Sequence, residues 1–244
     1  MKKINTILAA FSALLMLSVT SANSLEFKAG VSANGMAAYA NAKETLKDSG
    51  RVSNAEAILA TSFASVFAEV SSDEMMGLGI GISYAPEVAD LNKETREIDT
   101  CNDQTSQNTG AACVAKTGTS ADSGTTTVDA KINDMVSVYL TLPVGGNGAY
   151  IKAGYIQATM VTEESLATGS KYENVDMTGT SIGGGYEGSL GDMAFWRAEG
   201  SYQMWEDISA SGSESNNGTT DTTKNKIAAE MGSVMGTLSV GMKF

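Results

Sequence analysis

Three charged residues set among small ones, Glu187, Arg197 and Glu199, are the most distinctive chemical feature of this 244-residue chain. They share parity with the small residues on their strands, so they point to the same side, and adjacent antiparallel strands can bring such charges together. A narrow interior tolerates charge cheaply only when it is paired. The expected chemistry is therefore an ion-pair network plugging an interior, with a gated or leaky pathway as the alternative. Catalysis is disfavoured. The chain has no His, the usual proton-transfer side chain, and its many serines and carboxylates form no legible nucleophile-with-base arrangement. Neither an enzyme nor a cofactor is expected.

Two further groups carry possible chemistry. Cys101 and Cys113 lie close together in a polar stretch; in an exported chain they read as a local disulfide stapling a loop, and without His they make a poor metal site. Glu87, Asp90, Glu94, Glu97, Asp99 and Asp103 could attract hard cations. They show no ordered ligand spacing, so a solvated acidic loop is expected and no metal site.

The elements that would position these groups begin after residue 22. Lys2 and Lys3, the apolar run Ile7 to Val19 and the small residues Thr20-Ser21-Ala22 read as a cleaved signal peptide over residues 1–22, with the mature chain from Asn23. A retained anchor is the alternative, but the apolar run is shorter than the ~20 residues a spanning helix needs. Loss of two lysines takes the formal net charge from −12 to −14, which excludes nucleic-acid binding for want of a basic face. The mean hydropathy of −0.07 suits a soluble protein or a membrane barrel equally.

Hydrophobic period decides between them. Leu78, Ile80, Ile82 and Tyr84 alternate with Gly77, Gly79, Gly81 and Ser83, an apolar face opposite one of minimal size. A soluble sandwich would carry charge opposite its apolar face. The alternation recurs at residues 25–40, 136–142, 148–161, 182–186, 196–202 and 238–244. Residues 54–70 read as helix or strand: Leu59, Phe63 and Phe67 fall at i, i+4 and i+8, whereas Val66, Ala68 and Val70 alternate. An even strand number favours strand there. The expectation is an all-β, eight-stranded, antiparallel up-and-down transmembrane β-barrel over residues 23–244. Its short links fall at 71–74, 144–148 and 190–192, and its long extracellular loops at 43–53, 87–128, 162–175 and 208–225. Aromatic girdles are expected from Phe27, Tyr150, Tyr186, Trp196 and Phe244 at one rim and from Tyr39, Tyr84 and Tyr202 at the other. Lys152 stays unassigned, because its strand admits both parities; with Tyr150, Gly154 and Ile156 facing lipid it would snorkel at the rim.

Residues 179–208, "GTSIGGGYEGSLGDMAFWRAEGSYQMWEDI", resemble the penultimate hairpin of the OmpA/OmpX-type outer-membrane β-barrel family. Tyr186-Glu187, the turn at Gly191-Asp192, Arg197, Glu199 and Tyr202 carry the likeness. The final "GTLSVGMKF" is similar to the family's terminal strand. The resemblance implies a bacterial outer-membrane location and a C-terminal signal, Leu238, Val240, Met242 and Phe244, read by the barrel-assembly machinery. With the chain ending at Phe244, no peptidoglycan-binding domain is expected. The expected role is structural or small and porin-like, serving membrane integrity or limited passive diffusion; the alternative is surface adhesion through the extracellular loops. The partners expected are outer-membrane lipid and lipopolysaccharide, the chain acts as a monomer, and no ligand is assigned to the loops.

Overall fold

Residues of one parity turn outward and those of the other to the interior along most of the chain, and this forces strands rather than helices. The computed structural model describes residues 25–45, 52–90, 94–99, 123–165, 173–212 and 226–244. The expected signal peptide, residues 1–22, and the expected disulfide partners Cys101 and Cys113 lie outside the described residues.

The strands are β1 (Leu25–Thr45), β2 (Val52–Ser72), β3 (Leu78–Asp90), β4 (Glu94–Asp99), β5 (Ser123–Pro143), β6 (Ala149–Ser165), β7 (Val175–Ser189), β8 (Ala194–Trp205), β9 (Ile208–Ser211) and β10 (Lys226–Lys243). Eight of them, in the order β1-β2-β3-β5-β6-β7-β8-β10, form one antiparallel sheet that closes through β1 against β10. Short β4 continues β3 along β5, and β9 continues β8 along β10. The closing seam runs from Lys28↔Lys243 to Thr45↔Lys226. At its turn end Phe27 and Phe244 exchange backbone bonds of 3.2 and 2.9 Å. Closure leaves no edge along this seam, as a spanning barrel requires.

The ambiguous segment 54–70 is strand, within β2. Positions i, i+4 and i+8 share parity in a strand as well, so Leu59, Phe63 and Phe67 all face the interior. The intervals expected as loops are shorter than anticipated. Paired strand runs into residues 43–45 and 52–53, occupies 87–90, 94–99 and 123–128, and includes β9 within 208–225. Once register is set, the ladder continues wherever a partner strand extends beside it.

The opposite links are tight turns. Between β2 and β3, Asp73–Met75 makes one 3-10 turn, with Met76 and Gly77 at positive φ. Between β5 and β6, Gly148 has φ +92°, which L side chains rarely adopt. Glycine has a second use inside. Gly81 lies beneath the Tyr139 ring, and a Cβ on Gly30 or Gly241 would stand 2.7 Å from Phe67 or 2.6 Å from Phe195. Gly30, Gly81 and Gly241 therefore do not widen the lumen, as their size alone suggests; they are slots for rings lying over neighbouring strands.

Candidate functional site: the layered lumen

Glu69 on β2, Glu187 on β7 and Arg197 on β8 converge near the turn end of the barrel. Arg197 donates from Nη1 to Glu69 Oε2 (2.8 Å), from Nη2 to Glu69 Oε1 (2.7 Å) and from Nε to Glu187 Oε2 (2.7 Å). Lys28 on β1 donates to both oxygens of Glu187, at 2.9 and 3.1 Å, and reaches Glu26 at 3.0 Å. The guanidinium also lies 5.5, 5.4 and 5.1 Å from the ring centres of Phe67, Tyr150 and Phe195. Arg197 and Glu69 are only 3% and 4% exposed, so their bidentate pairing is what makes their burial tolerable.

Beside it lies a second group. Lys152 on β6 donates to Glu199 on β8 at 3.1 and 3.0 Å, and Tyr150 OH donates to Glu199 at 2.6 Å. The Lys152 ammonium sits 4.0 Å from the centre of the Tyr139 ring. Of the three charges singled out from sequence, Glu187 and Arg197 thus meet directly, whereas Glu199 takes Lys152 and Tyr150. Sequence reasoning missed Glu69 and Lys28. Glu69 shares parity with Phe67, but that signal could be used only with 54–70 taken as a strand.

Toward the loop end the charges give way to hydroxyls and amides. Ser32 and Ser239 share a hydrogen bond of 2.8 Å. Asn34 donates to Ser65 and accepts from Thr237, both at 2.9 Å. Two cavities of about 40 and 30 Å³ lie at this level, bordered by serines of several strands and by Lys152 and Glu199. Further along, the interior is apolar: Met36, Ala85, Ile132, Met135, Ile156 and Met177 are buried in one cluster with Trp205 and Ile208. At the junction Trp205 Nε1 donates to Ser233 (3.1 Å), which donates to Gln203 (2.6 Å).

No protein-family model matches the sequence, and no curated protein does. Among solved structures, the chain is similar to the outer membrane protein OprG from Pseudomonas aeruginosa, with 12% identity over 91% of this chain and 96% of that one and a TM-score of 0.48. It is also similar to Ail, the attachment invasion locus protein of Yersinia pestis, with 12% identity over 88% and 99% and a TM-score of 0.36. Neisserial surface protein A gives 11% identity over 87% and 97%, with a TM-score of 0.33. At such identities the likeness concerns the fold alone.

The outer wall holds the remaining residues of interest. Tyr186, Trp196 and Phe244 are exposed near the turn end, with the first two rings 5.8 Å apart, and Phe27 is half-buried beside Phe244. Leu238, Val240 and Met242 face outward on β10. Toward the loop end Tyr39 and Tyr202 share a hydroxyl bond of 3.0 Å, and Tyr84 donates to Asp134 at 2.6 Å. Tyr150 corrects the expected girdle: it is buried and faces the lumen, not the outer wall. Its hydroxyl takes Glu199 as acceptor and lies in the space left by Gly185, and Ile151 and Tyr155 hold the outward parity of β6. That parity also carries Lys152 and Ile156 inward.

Proposed function

We propose that the chain is an outer-membrane β-barrel of the OmpA/OmpX type whose role is structural: it spans the membrane with a sealed lumen and carries surface segments. The observation that carries this reading is the Glu69–Arg197–Glu187–Lys28 network, whose members come from four different strands of the barrel. An eight-stranded barrel has an interior about wide enough to be filled by side chains, and here charged and aromatic groups fill it. This favours membrane integrity over passive diffusion. On the same reading residues 1–22 direct export, the barrel-assembly machinery recognises Leu238, Val240, Met242 and Phe244, and Cys101 and Cys113 staple a surface segment. Lipid and lipopolysaccharide surround a monomer, which works as a scaffold rather than a catalyst.

A second reading, surface binding, is favoured by strand length. β1, β2 and β5 each have 21 residues, about twice the ~9 to 11 that cross a bilayer. Such strands hold their connecting segments well clear of the membrane.

The test is twofold. Extracted protein run on a detergent gel should migrate differently before and after boiling, and should fractionate with outer membranes. In planar bilayers the folded protein should give no steady single-channel steps. Identical migration with recovery in the soluble periplasm defeats the barrel in the membrane; steady steps defeat the sealed lumen.

A further inference from the structure

We infer that the lumen is closed by two independent seals in series, one electrostatic at the turn end and one apolar at the loop end, with a hydrated polar compartment between them. The inference rests on the sealed-barrel reading and adds what makes the closure robust.

The same order of side chains repeats along separate strands. On β1 the inward series runs Lys28, Ser32, Asn34, Met36, and on β2 it runs Glu69, Ser65, Phe63. On β8 it runs Arg197, Ser201, Trp205. Register sets Lys28 opposite Glu69 and Ser32 opposite both Ser65 and Ser239, and across the lumen Arg197 meets Glu69, Asn34 meets Ser65 and Thr237, and Met36 and Trp205 share one apolar cluster. Three strata follow, each with its own barrier physics.

The middle stratum suits water. Its cavities of about 40 and 30 Å³ exceed the ~10–15 Å³ that one water needs, and polar partners line them. The loop-side stratum does not suit it. Beyond Ala85, Met135 and Ile156, which border the larger cavity, Met177 is 1% exposed and Ala158 is 0% exposed. A constriction lined in this way stops ions by refusing water, without any charge of its own. Relaxing the ion pairs alone would therefore join the compartment to the turn-side solvent and leave the loop-side barrier shut. Relaxing the apolar cluster alone would leave the Arg197 network in place.

Planar-bilayer recording on the full-length refolded protein separates the cases. The first variant carries Glu69→Gln with Arg197→Gln, the second Met135→Ser with Met177→Ser, and the third all four changes. Each is recorded only after heat-modifiable migration shows a folded barrel; should the serine pair fail to fold, Met177→Gln, which keeps side-chain length, replaces it. Silence from the first two variants and steady steps from the third are the expected results. In a Trp196→Phe background, the fluorescence of Trp205 should stay shielded from acrylamide in the first variant and become quenchable in the second. Steady steps from either two-site variant overturn the series arrangement, as does a silent third variant. Steps from the unaltered protein defeat the sealed lumen itself and the inference with it.

Discussion

Arg197 and Glu69 stand 128 positions apart in the sequence and meet in the lumen through two parallel hydrogen bonds of 2.8 and 2.7 Å. Both side chains are nearly inaccessible to solvent, so each is the condition for the other's burial. Removing Arg197 leaves the Glu69 carboxylate buried without the guanidinium it accepts from, whereas neutralising both leaves two amides able to bond to each other. Arg197→Ala should therefore destabilise the folded barrel by about 3–5 kcal/mol. The double change Glu69→Gln with Arg197→Gln should cost clearly less. Urea titration in detergent, followed by gel mobility, checks the order; equal losses would show that the pairing is not what holds the site.

The inward and outward glycines should respond in opposite ways. Gly81→Ala places a methyl against the Tyr139 ring and should cost about 1–3 kcal/mol, the usual penalty for overpacking. Gly35, Gly200 and Gly236 have nothing within 4 Å of an added Cβ, so alanine at each should change stability by no more than ~0.5 kcal/mol. The same titration tests both sets.

Tyr150→Phe removes the 2.6 Å bond to Glu199. A hydrogen bond to a charged group contributes about 1.5–3 kcal/mol, and the loss should fall in that range. Tyr186→Phe, on the exposed outer wall, should be close to neutral. Equal effects at the two sites would argue that Tyr150 does not face the lumen.

The seam between β1 and β10 depends on backbone pairing on both sides of β10, with Val240 opposite both Val31 and Trp196. Val240→Pro deletes a donor from this ladder, and proline is not accommodated inside a sheet. Loss of the fast-migrating unboiled form is expected. Val240→Ala, which keeps the backbone donor, should retain it.

Much of the fold was legible because a closed β-barrel imposes a period of two. Seven alternating runs, with 54–70 taken as strand because closed barrels have an even strand number, led to eight strands, and the ring of eight is the architecture found. Loop extents were less legible, since polar strands projecting beyond an apolar belt carry no strong alternation. Residues 54–70 were ambiguous for a geometric reason: Leu59, Phe63 and Phe67 fit one face of a helix and one face of a strand.

By itself the sequence determined the alternation and the inward parity of Glu187, Arg197 and Glu199, because these follow from the backbone repeat along one strand. Tertiary structure alone decided the partners. Lys28 and Glu69 join Arg197 and Glu187, and Lys152 with Tyr150 takes Glu199, because closure and register bring together strands that are distant in the chain. The rotation of β6 was settled the same way. Both of its faces offer apolar residues, and only the carboxylate of Glu199 and the space beside Gly185 make the lumen the better place for Lys152 and Tyr150.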